Sequence, residues 1–152
     1  MTDNRIEKIS IDSKSIIRSE KNSHLRERAI TDILDGNEFE VLGHCGPYNV
    51  DVEIASNKLV MNISSGEEVI DNISFSLSPL RSVIKDYHII CESYYDAVKT
   101  ADPRKTEAID MGRRGVHNEG SEILEELLDD KILMDFETLR KFFSLIYVLQ
   151  IK

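Results

Sequence analysis

At 152 residues, with 41% hydrophobic and 31% charged side chains, the chain has the composition of one globular domain and not of a disordered segment. Its formal net charge of −9 includes no basic stretch, so the phosphate neutralisation that drives nucleic-acid binding has no source and a DNA or RNA partner is excluded. The polar stretch from Met1 to Ser10 and the broken apolar run from Phe142 to Ile151 fit neither a leader nor a bilayer span, and predict a cytoplasmic chain with Cys45 and Cys91 as free thiols.

In chain order, Ile6, Ile9 and Ile11 mark a short edge strand, residues 1–12 being otherwise a partly disordered start to a single domain over 1–152. Ser23 is the expected cap of a helix whose Leu25, Ala29, Ile30, Ile33 and Leu34 repeat at helical spacing, and Asp35-Gly36-Asn37 is its stop. From Glu38 the period switches to two. Phe39 and Val41, Tyr48 to Ile54, Leu59 to Ile63 and Val69 to Leu77 then read as strands separated by short turns. Short separators favour antiparallel neighbours, which predicts a meander of about four strands with one acidic, wet face and one apolar face.

The cover for the apolar face follows directly. Ser78-Pro79 starts a long helix with Leu80, Val83, Ile84, Tyr87, Cys91, Tyr94 and Val98 on one stripe. Asp102-Pro103 starts another that Gly112, Gly115 and Gly120 are expected to interrupt, and Ile123 to Leu128 mark a further helix. Asp135 caps the last, whose Phe142, Phe143, Leu145, Ile146, Val148 and Leu149 exceed one apolar face. That surplus predicts either a central core helix or a homodimer contact, while the β-prone run to Ile151 leaves a strand open. The class is therefore α+β: an N-terminal helix and an antiparallel meander, covered on one face by C-terminal helices.

Chemistry-bearing residues concentrate between Asp110 and Gly120. Arg113 and Arg114 can hold an anion, His117 can move a proton, and Asn118 can cap a helix. Together they read as an anion-binding corner at a helix N-terminus, or as a helix-loop-helix corner whose arginines pair with Asp110, Glu119 or Glu122. Lys85, Asp86 and Glu92 on the polar edge of the long helix would face this corner across a cleft. His44 beside Cys45 lacks the geometry of a base held against a thiol, the cysteine and histidine spacings define no metal site, and no nucleotide fingerprint assigns a cofactor.

Gly43-His44, Pro47-Tyr48, Pro79-Leu80-Arg81, Lys85-Asp86-Tyr87, Cys91-Glu92-Ser93-Tyr94-Tyr95, Glu107 to Gly115, His117 to Ser121 and Asp135-Phe136 with Thr138 together resemble a bacterial family known as uncharacterised protein family UPF0262. The resemblance covers nearly the whole chain and implies no catalytic assignment. Departures from the family pattern are Cys45, Lys141 in place of arginine, and Gln150 in place of histidine. Three readings follow: a small binding or regulatory module for an anionic ligand at the corner; a non-catalytic interaction protein, homodimeric through the last helix; and a hydrolase or transferase using His117 with Arg113 and Arg114.

Overall fold

The computed structural model describes residues 3–12, 20–100 and 102–150. In chain order the elements are β1 (Ile6–Ile11), α1 (Glu20–Asp35), β2 (Phe39–Val41), β3 (Tyr48–Ala55), β4 (Lys58–Ser65), β5 (Glu68–Ser76), α2 (Ser78–Thr100), α3 (Pro103–Leu128), β6 (Ile132–Met134) and α4 (Phe136–Gln150). The fold is α+β, with a four-stranded sheet in the order β1-β3-β4-β5 and a two-stranded sheet of β2 and β6.

Strands β3, β4 and β5 form the expected antiparallel meander, joined by turns in which Ser56, Asn57 and Gly66 take positive φ. Their alternation buries Val50, Val52, Leu59, Met61, Ile63, Ile73 and Phe75 on one face. The fourth strand is not the expected one. β1 lies parallel to β3, with Ile6 opposite Tyr48 and Ile11 opposite Val52, and the crossover that a parallel pair requires is supplied by the segment holding α1 and β2. β2 leaves this sheet to pair with β6, Phe39 opposite Met134. There the Phe39 ring stacks on Phe142 at 6.0 Å and meets Tyr48 edge-on at 5.5 Å. Short separation thus did not make β2 and β3 neighbours, because burying Phe39 and Val41 against the helices competes with pairing.

Ser23 lies inside α1, which begins at Glu20. The expected stop holds: α1 ends at Asp35, and Asn37 accepts from the Ile6 N–H at 2.7 Å while donating to the Ile33 carbonyl at 2.8 Å, so one side chain joins the helix end to β1. In α2 the buried stripe runs through Leu80, Val83, Tyr87 and Ala97, and Val98 is exposed; the spacing drifts by one residue over six turns.

The largest difference lies in α3, which runs unbroken from its cap at Asp102 to Leu128. Gly112, Gly115 and Gly120 therefore sit inside a helix, at a propensity cost of about 1 kcal/mol each relative to alanine. Two of them have a packing reason. A Cβ at Gly112 would stand 2.9 Å from the Ile90 side chain, and one at Gly120 would overlap the Phe143 ring. These glycines allow α3 to approach α2 and α4 closely. They make no corner, and they leave no helix N-terminus near Arg113 and Arg114.

α4 is a helix as far as Gln150, Ile151 lying outside the described residues. Its Phe142, Phe143, Leu145, Ile146, Val148 and Leu149 are all buried within the chain, so α4 is the central core helix and the surplus that motivated a homodimer is absorbed internally. The Asp135 carboxylate accepts from the Thr138 N–H at 3.0 Å, capping it as expected. Asp135→Ala is expected to cost about 1 kcal/mol in urea unfolding; an unchanged midpoint would mean that this cap adds nothing. Among the described residues no helix is long and apolar enough to cross a membrane.

Candidate functional site

The two arginines of the glycine-bearing segment turn back onto their own helix. Arg113 Nε donates to Asp110 at 3.1 Å and Arg114 pairs with the same carboxylate at 2.8 Å. The Arg113 hydrogen bond, with both positive charges, holds the Asp110 carboxyl below its usual range. Arg114 is exposed. Arg113 points inward, 5.0 Å above the Tyr94 ring, where burial opposes its charge but Asp110 and the Tyr87 oxygen keep it protonated.

His117 is only 7% exposed. Its Nε2 meets Ser144 Oγ at 2.7 Å, and its ring packs edge-on against Tyr87 and Phe143 at 5.3 and 5.1 Å. Nδ1 is buried without a hydrogen-bond partner among the described residues. Burial above all, and then the Arg140 and Arg113 charges, pull this imidazole down to about 4. A histidine–hydroxyl pair resembles the start of a nucleophilic site, but general-base action requires an imidazolium that this environment opposes. Among the described residues no carboxylate bonds Nδ1 to orient the ring: Asp110 is held by the arginines and Glu119 is exposed.

A cleft of about 350 Å³ opens between α1, α2 and α4, with Arg113 of α3 contributing to its wall. Tyr87, Tyr94 and Tyr95 come from α2 and Tyr147 from α4. Tyr87 and Tyr147 meet edge-on at 4.8 Å. The Tyr147 hydroxyl lies 2.8 Å from His88 Nδ1, and His88 Nε2 lies 3.2 Å from Glu92. Cys91 lines the cleft beside Tyr87 and Tyr147. Burial raises the Tyr87 phenol to about 12 and pushes the Tyr147 phenol and the Cys91 thiol up as well. Tyr87 and Tyr147 therefore stand in the wall as neutral phenols beside a protonated thiol that is not a nucleophile at neutral pH, and Arg28, Asp32, Glu92 and Arg113 complete the lining.

A smaller hollow of about 190 Å³ lies on the other side of Ser144, lined by His117, Glu137, Arg140 and Lys141 and sharing Ala29, Asp32 and Ser144 with the cleft.

Of the residues expected to form a site, Arg113 and Glu92 both line the cleft, and His117 adjoins it through Ser144. Lys85 lines a separate hollow with Asn57, Arg81 and Gln150. Asp86 and Arg114 are exposed, and Asn118 Oδ1 is buried without a partner among the described residues. Sequence reading missed Tyr147, Ser144, Arg28 and Asp32. A signal existed for two of them, since Ser144 and Tyr147 are spaced by three in the otherwise apolar stretch from Phe142 to Leu149 and so share a face. Among the described residues no three His, Cys, Asp or Glu side chains converge as metal ligands; Cys45 is exposed on the turn before β3.

The model of Uncharacterised protein family (UPF0262) matches residues 3–152. A UPF0262 protein of Azorhizobium caulinodans is 47% identical, covering 98% of this chain and 95% of its own length. One of Methylobacterium radiotolerans is 46% identical over 98% and 94%, and one of Rhizobium meliloti 50% identical over 83% and 81%. No solved structure matches.

Proposed function

The chain belongs to uncharacterised protein family UPF0262, and from that premise we propose that it is a non-catalytic binding module whose small organic ligand seats in the tyrosine-walled cleft. One observation carries the reading: four tyrosines and Arg113 line a single cavity of about 350 Å³, the size and chemistry of a ligand site with an apolar wall and a few directional polar groups. The anion expected at the α3 segment is given up, because Asp110 occupies Arg113 and Arg114 there, and the ligand is placed in the cleft instead. The absence of a basic stretch supports a small molecule over nucleic acid. Free Cys45 and Cys91 support a reducing, cytoplasmic setting, and the continuous core supports one domain.

Thermal unfolding followed by circular dichroism, against a library of small aromatic compounds, tests this reading. A ligand present at a hundredfold excess over its Kd is expected to stabilise the native chain by about 2.7 kcal/mol. Tyr95 is 59% exposed, so Tyr95→Ala should leave the fold intact while weakening that ligand by about 1 kcal/mol through loss of a ring contact. If no compound shifts the native protein, the reading fails.

A further inference from the structure

The two hollows around Ser144 differ in chemistry and share three wall residues. The larger presents four tyrosine rings, with Arg28, Glu92 and Arg113 also in its wall. The smaller, at about 190 Å³, falls below the range of about 300–1,000 Å³ usual for a whole ligand and is the size of a head group. It is lined by two acids, Asp32 and Glu137, and two cations, Arg140 and Lys141.

Those charges do not cancel evenly. Arg140 pairs with Glu137 at 3.3 Å. Lys141 Nζ donates to the Gly36 carbonyl at the end of α1, which satisfies a hydrogen bond but leaves its charge without a carboxylate. Asp32, on α1, makes no salt bridge among the described residues. A negative group on α1 and a positive group on α4 thus line one small hollow, unpaired with each other. A simple anion placed there would meet Asp32, and a simple cation would meet Lys141 and Arg140. A molecule with both charges close together satisfies both walls.

We infer that the ligand is a zwitterion of the amino-acid class, its bulky apolar side chain among the cleft tyrosines, its ammonium on Asp32 and its carboxylate on Lys141 and Arg140. This assignment rests on the binding reading above and adds the ligand's class to it. Asp32 and Ser144 belong to both hollows, so the point where the side chain joins the head group would fall beside them.

The chain contains no tryptophan, so indole probes can be followed by their own fluorescence. Four are compared: L-tryptophan, indole-3-propionate without the ammonium, tryptamine without the carboxylate, and 3-methylindole with neither. L-Tryptophan is expected to bind at least about tenfold more tightly than each of the others, a typical return for one charge-assisted hydrogen bond. Asp32→Asn should erase its advantage over indole-3-propionate, and Lys141→Gln its advantage over tryptamine, with Lys141→Arg restoring the latter. Circular dichroism checks that each variant is folded. Equal binding of all four probes overturns the zwitterion assignment while leaving the cleft as a ligand site. Tightest binding by tryptamine or indole-3-propionate overturns it in favour of a singly charged ligand. Binding of none also overturns it, and the aromatic library then decides the cleft by itself.

Discussion

Phe143→Ala is expected to lower the unfolding free energy by about 3–5 kcal/mol, the range for deleting a fully buried aromatic side chain. Phe143 is 0% exposed; its ring meets Tyr87 at 5.7 Å and His117 at 5.1 Å, and it fills the space left by the missing Cβ of Gly120. Removing it opens a cavity where α2, α3 and α4 meet. The measurement is the urea midpoint at constant m-value. A loss below about 1 kcal/mol would mean that this junction is not tightly packed. The same contact makes a second arm informative. Gly120→Ala alone presses a methyl group into the ring and should cost about 1–3 kcal/mol by overpacking, whereas in the Phe143→Ala background most of that cost should vanish, since the methyl group then enters the cavity. Additive losses would show that Gly120 and Phe143 are energetically independent.

Stability should also fall on mild acidification for a reason traceable to His117. Its folded-state value is depressed to about 4 against about 6.5 in an unfolded chain. Between those values the unfolded state binds a proton that the native state refuses. The stabilisation is therefore fully present above pH ~6.5 and is lost as pH falls toward ~4, with a total of roughly 3 kcal/mol. Carboxylates lose stability over part of the same window, so the useful quantity is the difference between the native chain and His117→Phe. That variant keeps a ring against Tyr87 and Phe143 and removes the titration. The gap between the two should narrow steadily as pH falls from 7 to 4, with the variant gaining relative to the native protein. A gap independent of pH would show that His117 is not buried in its neutral form.

Much of the architecture was legible locally. Asp102 before Pro103, and Asp135 three residues ahead of Thr138, announce helix starts through bonds that each close within one turn. The alternation in β3, β4 and β5 names the buried face because successive strand side chains point to opposite sides. The glycines of α3 were the main source of error. In sequence they are breakers; in the structure Gly112 and Gly120 are contact points whose partners, Ile90 and Phe143, lie 22 or more positions away. Once α3 is continuous, Arg113 and Arg114 fall within one turn of Asp110 and pair with it, and the expected anion corner disappears for that reason. The cleft was only partly visible. The α2 tyrosines were recognisable as amphipathic, but nothing local indicates that Tyr147 will face them.

The sequence by itself determined the α+β class, the helix caps at Asp102 and Asp135, three strands of the four-strand meander it predicted, and membership in a family whose name carries no activity. Each of these depends on hydrogen bonds and periodicities that close within a few residues, or on a resemblance spread along the chain. Only the tertiary structure decided that β1 runs parallel beside β3, that β2 leaves the sheet for β6, that α4 is the buried centre, and that α1, α2 and α4 together wall a tyrosine-lined cleft. Those outcomes depend on which apolar surfaces fit one another across 30 to 100 residues of chain, and shape complementarity at that distance leaves no periodic mark in the sequence.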